Sequence, residues 1–222
     1  MQYKIMKPIN YIITGLDNRT LFSIISLCLI LNNYFINKFI YSDYILYNAL
    51  DDQLSTDRIT TIIYLIKKLK WIGYILIPIV LFVKIYLISF CIEIGVIFKS
   101  YKVNIKNIFH VVLVAELVFL TQQIVRTLSL YFSNYNTLNE IQNFYPLSIL
   151  SLFEPENLAI WLVYPLQVLN IFMLAYFFLI AYGLSIFLNK NFTGMLSFTF
   201  GTYGICLLIW VLLVMFINVN IL

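Results

Sequence analysis

The chain has 222 residues, of which 62% are hydrophobic and only 11% charged. A water-soluble domain of this size carries more charge and less apolar content, so the composition excludes that class and points to a polytopic membrane protein. The net charge of +4 is gathered at the N-terminus and in two connecting segments. That pattern reports membrane topology and gives no reason to expect a nucleic-acid partner.

In chain order, residues 1–20 hold Lys4, Lys7 and Arg19 against one acid, Asp17. No cleavable signal is evident, so the first apolar segment is expected to stay as an anchor. That segment, 21–40, is the weakest of five predicted spans because Asn32, Asn33 and Asn37 interrupt it. Amides inside a span favour a helix–helix contact over hydrocarbon. Residues 41–70 begin acidic, with Asp43, Asp51, Asp52 and Asp57. Within 55–70, Ile59, Ile62, Ile63 and Ile66 recur at helical spacing, beside Arg58, Lys67, Lys68 and Lys70. This reads either as an amphipathic helix at the membrane interface or as an outward extension of the next span.

The second and third spans, 71–98 and 108–132, form a hairpin across a basic turn at 99–106. Pro78 predicts a kink in the second span. These two segments carry the deepest charges in the chain: Lys84, Glu93, Glu116 and Arg126. A charge at membrane depth costs a few kcal/mol and must face a partner, a cavity or water. Both helices are therefore expected inside a bundle, with Lys84 and Glu116 in reach of each other and Glu93 the next carboxylate. The cluster is open to three readings: a structural ion pair, a proton or ion path, or charges met by a partner protein. Gln122, Gln123 and Arg126 are candidates for contact with lipid headgroups or a partner.

Residues 133–157 contain Glu140, Glu154 and Glu156 but no Lys or Arg, and Pro146 and Pro155 break them. The fourth span is expected over 158–188, with Pro165 near its entry and Gly183 near its exit. After the turn at Lys190 comes the fifth span, 192–222. Its small residues Gly194, Ser197, Gly201 and Gly204 predict a face for close helix packing. The positive-inside rule puts the N-terminus, the 99–106 turn and Lys190 on the cytoplasmic side, and the C-terminus outside. The expected fold is thus all-α, a single domain of five transmembrane helices.

No catalytic signature, phosphate-binding loop or dinucleotide fingerprint is present, so no enzyme activity and no cofactor are expected. His110 is the sole histidine, and its spacing to Glu116 does not put both on one helical face, which argues against a metal site. Cys28, Cys91 and Cys206 form no CxxC pair and read as apolar packing residues.

Three stretches carry a family resemblance. One runs through Cys91-Ile92-Glu93-Ile94-Gly95 into the basic turn and the third span. Another is 146–153, from Pro146 to Phe153, just before the fourth span. The last is 165–172, from Pro165 to Phe172, followed by Ala181-Tyr182-Gly183-Leu184 and the Lys190 turn. Together they resemble the Yip-domain family of five-span membrane proteins, which includes eukaryotic trafficking proteins that interact with Rab GTPases and many bacterial relatives. The Asp-Leu-Tyr-Gly-Pro-type motif of the eukaryotic members is absent, so Rab binding does not carry over. The proline common in the third span of bacterial relatives is also missing, with Glu116 in that neighbourhood. The resemblance implies a non-enzymatic membrane protein that works through partners, and the expected function is a scaffold or accessory subunit of a bacterial inner-membrane complex. The alternative is a permease-type transporter subunit with a charged path through the second and third spans.

Overall fold

The computed structural model describes residues 15, 17–41, 43–51, 55–133, 135, 137–155 and 158–221. Lys4, Lys7, Asp52, Glu156 and Asn157 lie outside them. All regular structure among the described residues is helical, apart from one isolated β-bridge. Among the described residues, five helical stretches are long and apolar enough to cross a membrane.

The first is α1, Asn18–Phe39, followed by the short α2, Asp43–Asp51. Helix α3, Thr56–Phe98, then runs for 43 residues without a break. The isoleucine stripe at 55–70 is therefore an extension of the second span, and no separate interfacial helix forms. The reason is local: no glycine or proline occurs from Thr56 to Ile72, and Leu, Ile and Lys propagate a helix readily. Ile59 is fully buried, where α2 packs against α3, while Leu65, Ile66 and Leu69 are exposed. Pro78 lies inside α3 and leaves the Tyr74 carbonyl without its usual donor, yet the helix continues.

Helix α4, Ile105–Phe132, starts at Asn104, whose side chain accepts a hydrogen bond from the Lys106 amide at 3.0 Å. It is the centre of the bundle and packs against α1, α3 and a later helix, α7 (Ile171–Leu188). Val111, Val112, Leu113, Val114, Ala115 and Glu116 are buried in succession. A helix enclosed all round in this way needs no amphipathic stripe. Helix α3 is not enclosed likewise, contrary to the expectation of two central helices. Its buried residues Leu81, Ile85, Ile88, Ile92 and Val96 form one seam at three- and four-residue spacing. Ile79, Val80, Phe82, Val83 and Leu87 face outward.

The connection after α4 contains α5, Leu138–Asn143, and a 3₁₀ turn at Ile149–Leu152. The fourth span, expected to be continuous over 158–188, is broken into α6, Ile160–Val168, and α7. Asn170 makes the break. Its side-chain oxygen accepts from the Met173 amide at 2.7 Å and its side-chain nitrogen donates to the Gln167 carbonyl at 2.8 Å. The backbone freed at the break pairs with the 146–153 stretch. Ile149 N–H donates to the Leu169 carbonyl at 3.0 Å, and Ile171 N–H donates to the Leu147 carbonyl at 3.2 Å. These bonds answer the requirement that buried backbone groups find partners. Leu147 adopts φ 61°, a conformation that a branched residue accepts only when its surroundings impose it.

Helix α7 ends at Asn189 in the left-handed conformation, a usual helix stop for asparagine. The last rod comprises α8, Phe192–Thr199, one π turn at Phe200–Gly204, and α9, Ile205–Ile221. Its packing face is not the small-residue face. Gly194, Ser197 and Gly201 are exposed, and a Cβ added at Gly194 or Gly201 meets nothing within 4 Å. A Cβ added at Gly204 would make only an ordinary contact, 3.6 Å from the Phe177 ring. The buried side is Met195, Phe198, Thr199 and Tyr203. Close approach occurs elsewhere, at Gly95 against Thr202 and at Gly183 against Val111.

A Cβ at Gly183 would sit 2.6 Å from Val111 Cγ1 and 3.2 Å from its Cβ, which no rotamer change can move away. Gly183→Ala is therefore expected to lower detergent stability by about 1–3 kcal/mol, as overpacking of a core contact does. Gly201→Ala should be neutral within about 0.5 kcal/mol. Thermal melts of the two variants check both outcomes, and equal melting points would contradict the packing described.

Candidate functional site

The four charges singled out above do not form one cluster. Two of them meet. Lys84 Nζ of α3 lies 2.8 Å from Glu116 Oε2 of α4. Tyr176 Oη of α7 donates to the other carboxylate oxygen, Oε1, at 3.0 Å. Glu116 is 3% exposed, so its charge is tolerable only with both oxygens engaged. The ammonium of Lys84 also stands 3.9 Å from the centre of the Phe119 ring and 5.8 Å from that of Tyr176. Aromatic faces at these distances attract a cation. Lys84 is 38% exposed, so only one member of the pair is sealed from its surroundings.

Arg126 serves a different purpose. Its Nε donates to the Phe144 carbonyl at 2.8 Å, and Nη2 donates to the carbonyls of Ile141 at 3.0 Å and Gln142 at 3.4 Å. These are carbonyls at the C-terminal end of α5, where a cation is favoured by the unsatisfied peptide groups. Its guanidinium lies 4.4 Å from the Tyr145 ring centre. Glu93 is half-buried near the other end of α3, nine residues and about 14 Å along the helix from Lys84. It forms no ion pair among the described residues.

Between α1, α3 and α4 lies a cavity of about 510 Å³. Lys84 and Glu116 stand at one end. Ile36, Tyr41, Leu130 and Ile141 close the other, and all four belong to the small apolar cluster joining α1, α2, α4 and α5. Asn32, Asn33, Gln123 and Arg126 also line it. On α4 the lining residues Glu116, Phe119, Gln123, Arg126 and Leu130 recur every three or four positions, with Leu120 beside them, so one helical face supplies them.

His110 accepts no metal-like surroundings: its Nδ1 is hydrogen-bonded to Asn18 Oδ1, which ties the start of α1 to the start of α4. No group of three His, Cys, Asp or Glu side chains able to hold a metal converges among the described residues. Cys91 and Cys206 are free thiols that interact where α3 meets the last rod. Tyr176 and Phe119 were not singled out by the sequence. Tyr176 is one of 17 tyrosines, 60 positions from Glu116, and nothing local marks it as a carboxylate partner.

Comparison with protein-family models, with curated proteins and with solved structures finds no match.

The pair has an asymmetry that can be measured. Lys84→Met leaves the enclosed Glu116 with only Tyr176, whereas Glu116→Gln leaves a lysine that can turn toward the cavity. Breaking a fully buried pair costs about 3–5 kcal/mol, and Lys84→Met is expected to approach that range while Glu116→Gln falls below it. The double substitution should cost less than the sum of the singles. Tyr176→Phe should add about 1 kcal/mol of loss. Unfolding of the four variants in detergent checks the order, and additivity of the singles would contradict the coupling.

Proposed function

We propose that this protein is a non-enzymatic scaffold or accessory subunit of a bacterial inner-membrane complex, akin to the Yip-domain proteins it resembles. The observation that carries the reading is the length of α3. Its 43 residues span about 65 Å, roughly twice the 30 Å hydrocarbon layer. The excess makes a rigid arm, braced by α2 and presenting Tyr64, Leu65 and Leu69 beside Lys68 and Lys70. Apolar and basic groups together on an arm outside the membrane fit a partner subunit or the headgroup layer. The distribution of charge agrees with a structural part for the deep groups. Glu116 is satisfied on both oxygens, Arg126 is committed to carbonyls, and Glu93 stands apart, so no row of titratable groups crosses the bundle.

The two stretches 146–153 and 165–172 pair with each other at Ser148 and Asn170. Orientation follows from the basic segments. Lys190 lies 5.9 Å from the Tyr101 ring, and Asn18 meets His110, so the basic turns and the start of α1 share one end. In our reading that end is cytoplasmic.

A second reading, a permease-type subunit, is favoured by the cavity beside Lys84 and Glu116. Solute uptake into liposomes containing the purified protein alone would support it.

A photo-reactive residue placed at Leu65 or Leu69 in native membranes is expected to give one protein adduct of constant mass. Adducts with lipid alone at both positions would overturn the scaffold reading. For orientation, Asn139→Cys in a background lacking Cys28, Cys91 and Cys206 should react with an impermeant maleimide from outside the cell. Reaction only after the inner face is opened would reverse the topology.

A further inference from the structure

The cavity between α1, α3 and α4 carries a cation that no carboxylate among the described residues neutralises. Its wall holds two cations, Lys84 and Arg126, and one carboxylate, Glu116. The carboxylate belongs to Lys84, at 2.8 Å. Arg126 makes no ion pair among the described residues. Its Nε and Nη2 hydrogens go to the three carbonyls of α5, and its Nη1 makes no hydrogen bond there. Guanidinium carries five N–H donors in a planar fork, so two remain for a ligand. The clamp on α5 and the Tyr145 ring hold the group still, which lowers the entropy cost of using those donors.

The neighbouring polar groups point to the same ligand chemistry. The Asn33 side-chain oxygen is already taken by the Asn37 amide at 2.7 Å, which leaves the Asn33 NH₂ to donate. Asn32 and Gln123 have no partner among the described residues and line the same space. Gln123 and Arg126 are three positions apart on α4 and share its cavity face.

The rest of the wall is apolar: Leu29, Leu76, Val80 and Leu120 fill the stretch between Arg126 and the Lys84–Glu116 pair. Along α4, Arg126 and Glu116 are ten residues apart, about 15 Å. Leu76 is 48% and Val80 61% exposed, so the cavity is open on the α3 side, where hydrocarbon would surround a membrane-inserted bundle. Its volume of about 510 Å³ falls within the usual range for small-molecule sites, about 300–1,000 Å³.

We infer that this cavity binds one single-chain anionic amphiphile drawn from the bilayer, with a carboxylate or phosphate head at Arg126 and its chain along Leu29, Leu76, Val80 and Leu120. The head neutralises the unpaired guanidinium and accepts from the amides. The chain packs along the apolar wall on the side that opens toward hydrocarbon.

Gly73 supplies a clean test. It lines the cavity, and a Cβ there meets nothing within 4 Å, so a large side chain is accommodated at the cavity wall without displacing the backbone. The full chain in phosphatidylcholine nanodiscs would be titrated with a fluorescent fatty acid, then competed with oleate, with mono-olein and with inorganic phosphate. One saturable site is expected, displaced by oleate at concentrations at least tenfold below those needed for mono-olein. Inorganic phosphate should displace nothing below millimolar concentration. Gly73→Trp should weaken binding at least tenfold while its melting temperature stays at the wild-type value or above. If that variant does not fold, Val80→Trp, at a second position lining the cavity mouth, should give the same loss. Equal competition by oleate and mono-olein would overturn the assignment of an anionic head. Displacement by phosphate at micromolar concentration would show an aqueous anion site and overturn the amphiphile. Unchanged binding in a folded Gly73→Trp or Val80→Trp would place the site elsewhere.

Discussion

A carboxylate buried in the middle of a helix bundle is the constraint on which the rest depends. Glu116 sits in the most enclosed part of α4, where an unpaired charge would be costly in any nonpolar surrounding. Lys84 reaches it from α3 and Tyr176 from α7, so three helices must hold one relative register for the charge to be tolerated. Apolar packing alone permits neighbouring arrangements of similar free energy, and a polar contact of this kind selects among them. Phe119 beneath the ammonium and Tyr203 beside Tyr176 extend the contact into the core and link it to the last rod.

The departures from straight rods follow from the same need to satisfy polar groups away from water. At the α6–α7 break, Asn170 and the bridge to Ser148 provide partners for the interrupted backbone. At the π turn, Thr199 and Thr202 donate to the carbonyls of Met195 and Phe198. Such turns shift the face presented by all that follows. Here the turn accompanies the contact of Thr202 with Gly95 and of Tyr203 with Tyr176 and Phe177.

Arg126 links the interior to the connection. It fixes the end of α5 and, with the cluster of Ile36, Tyr41, Leu130 and Ile141, forms the closed end of the cavity. The opening therefore lies at the side, between α1 and α3, near the exposed Leu76 and Val80. Two of the amides that interrupt the apolar run of α1, Asn32 and Asn33, make its cavity face polar.

Composition and hydropathy alone determined the all-helical class and the five apolar helices. Those features follow from chain length and apolar content, which are properties of a segment. The continuous α3 was left undecided by its pattern, since a helical stripe has the same periodicity on a membrane surface or against α2. The break at Asn170 escaped because its stabilising partner, the 146–153 stretch, is distant in sequence. Small residues on the last rod suggested Gly194, Ser197 and Gly201 as a packing face, yet a small side chain permits close approach without requiring it. Which glycines meet a neighbour, at Gly95 and Gly183, was decided by how the helices rotate about their own axes. The choice of Tyr176 for Glu116, and the commitment of Arg126 to the carbonyls of α5, were likewise decided only in three dimensions. Hydrogen bonds depend on ångström-scale placement of groups from separate segments, and no periodicity within one segment encodes that placement.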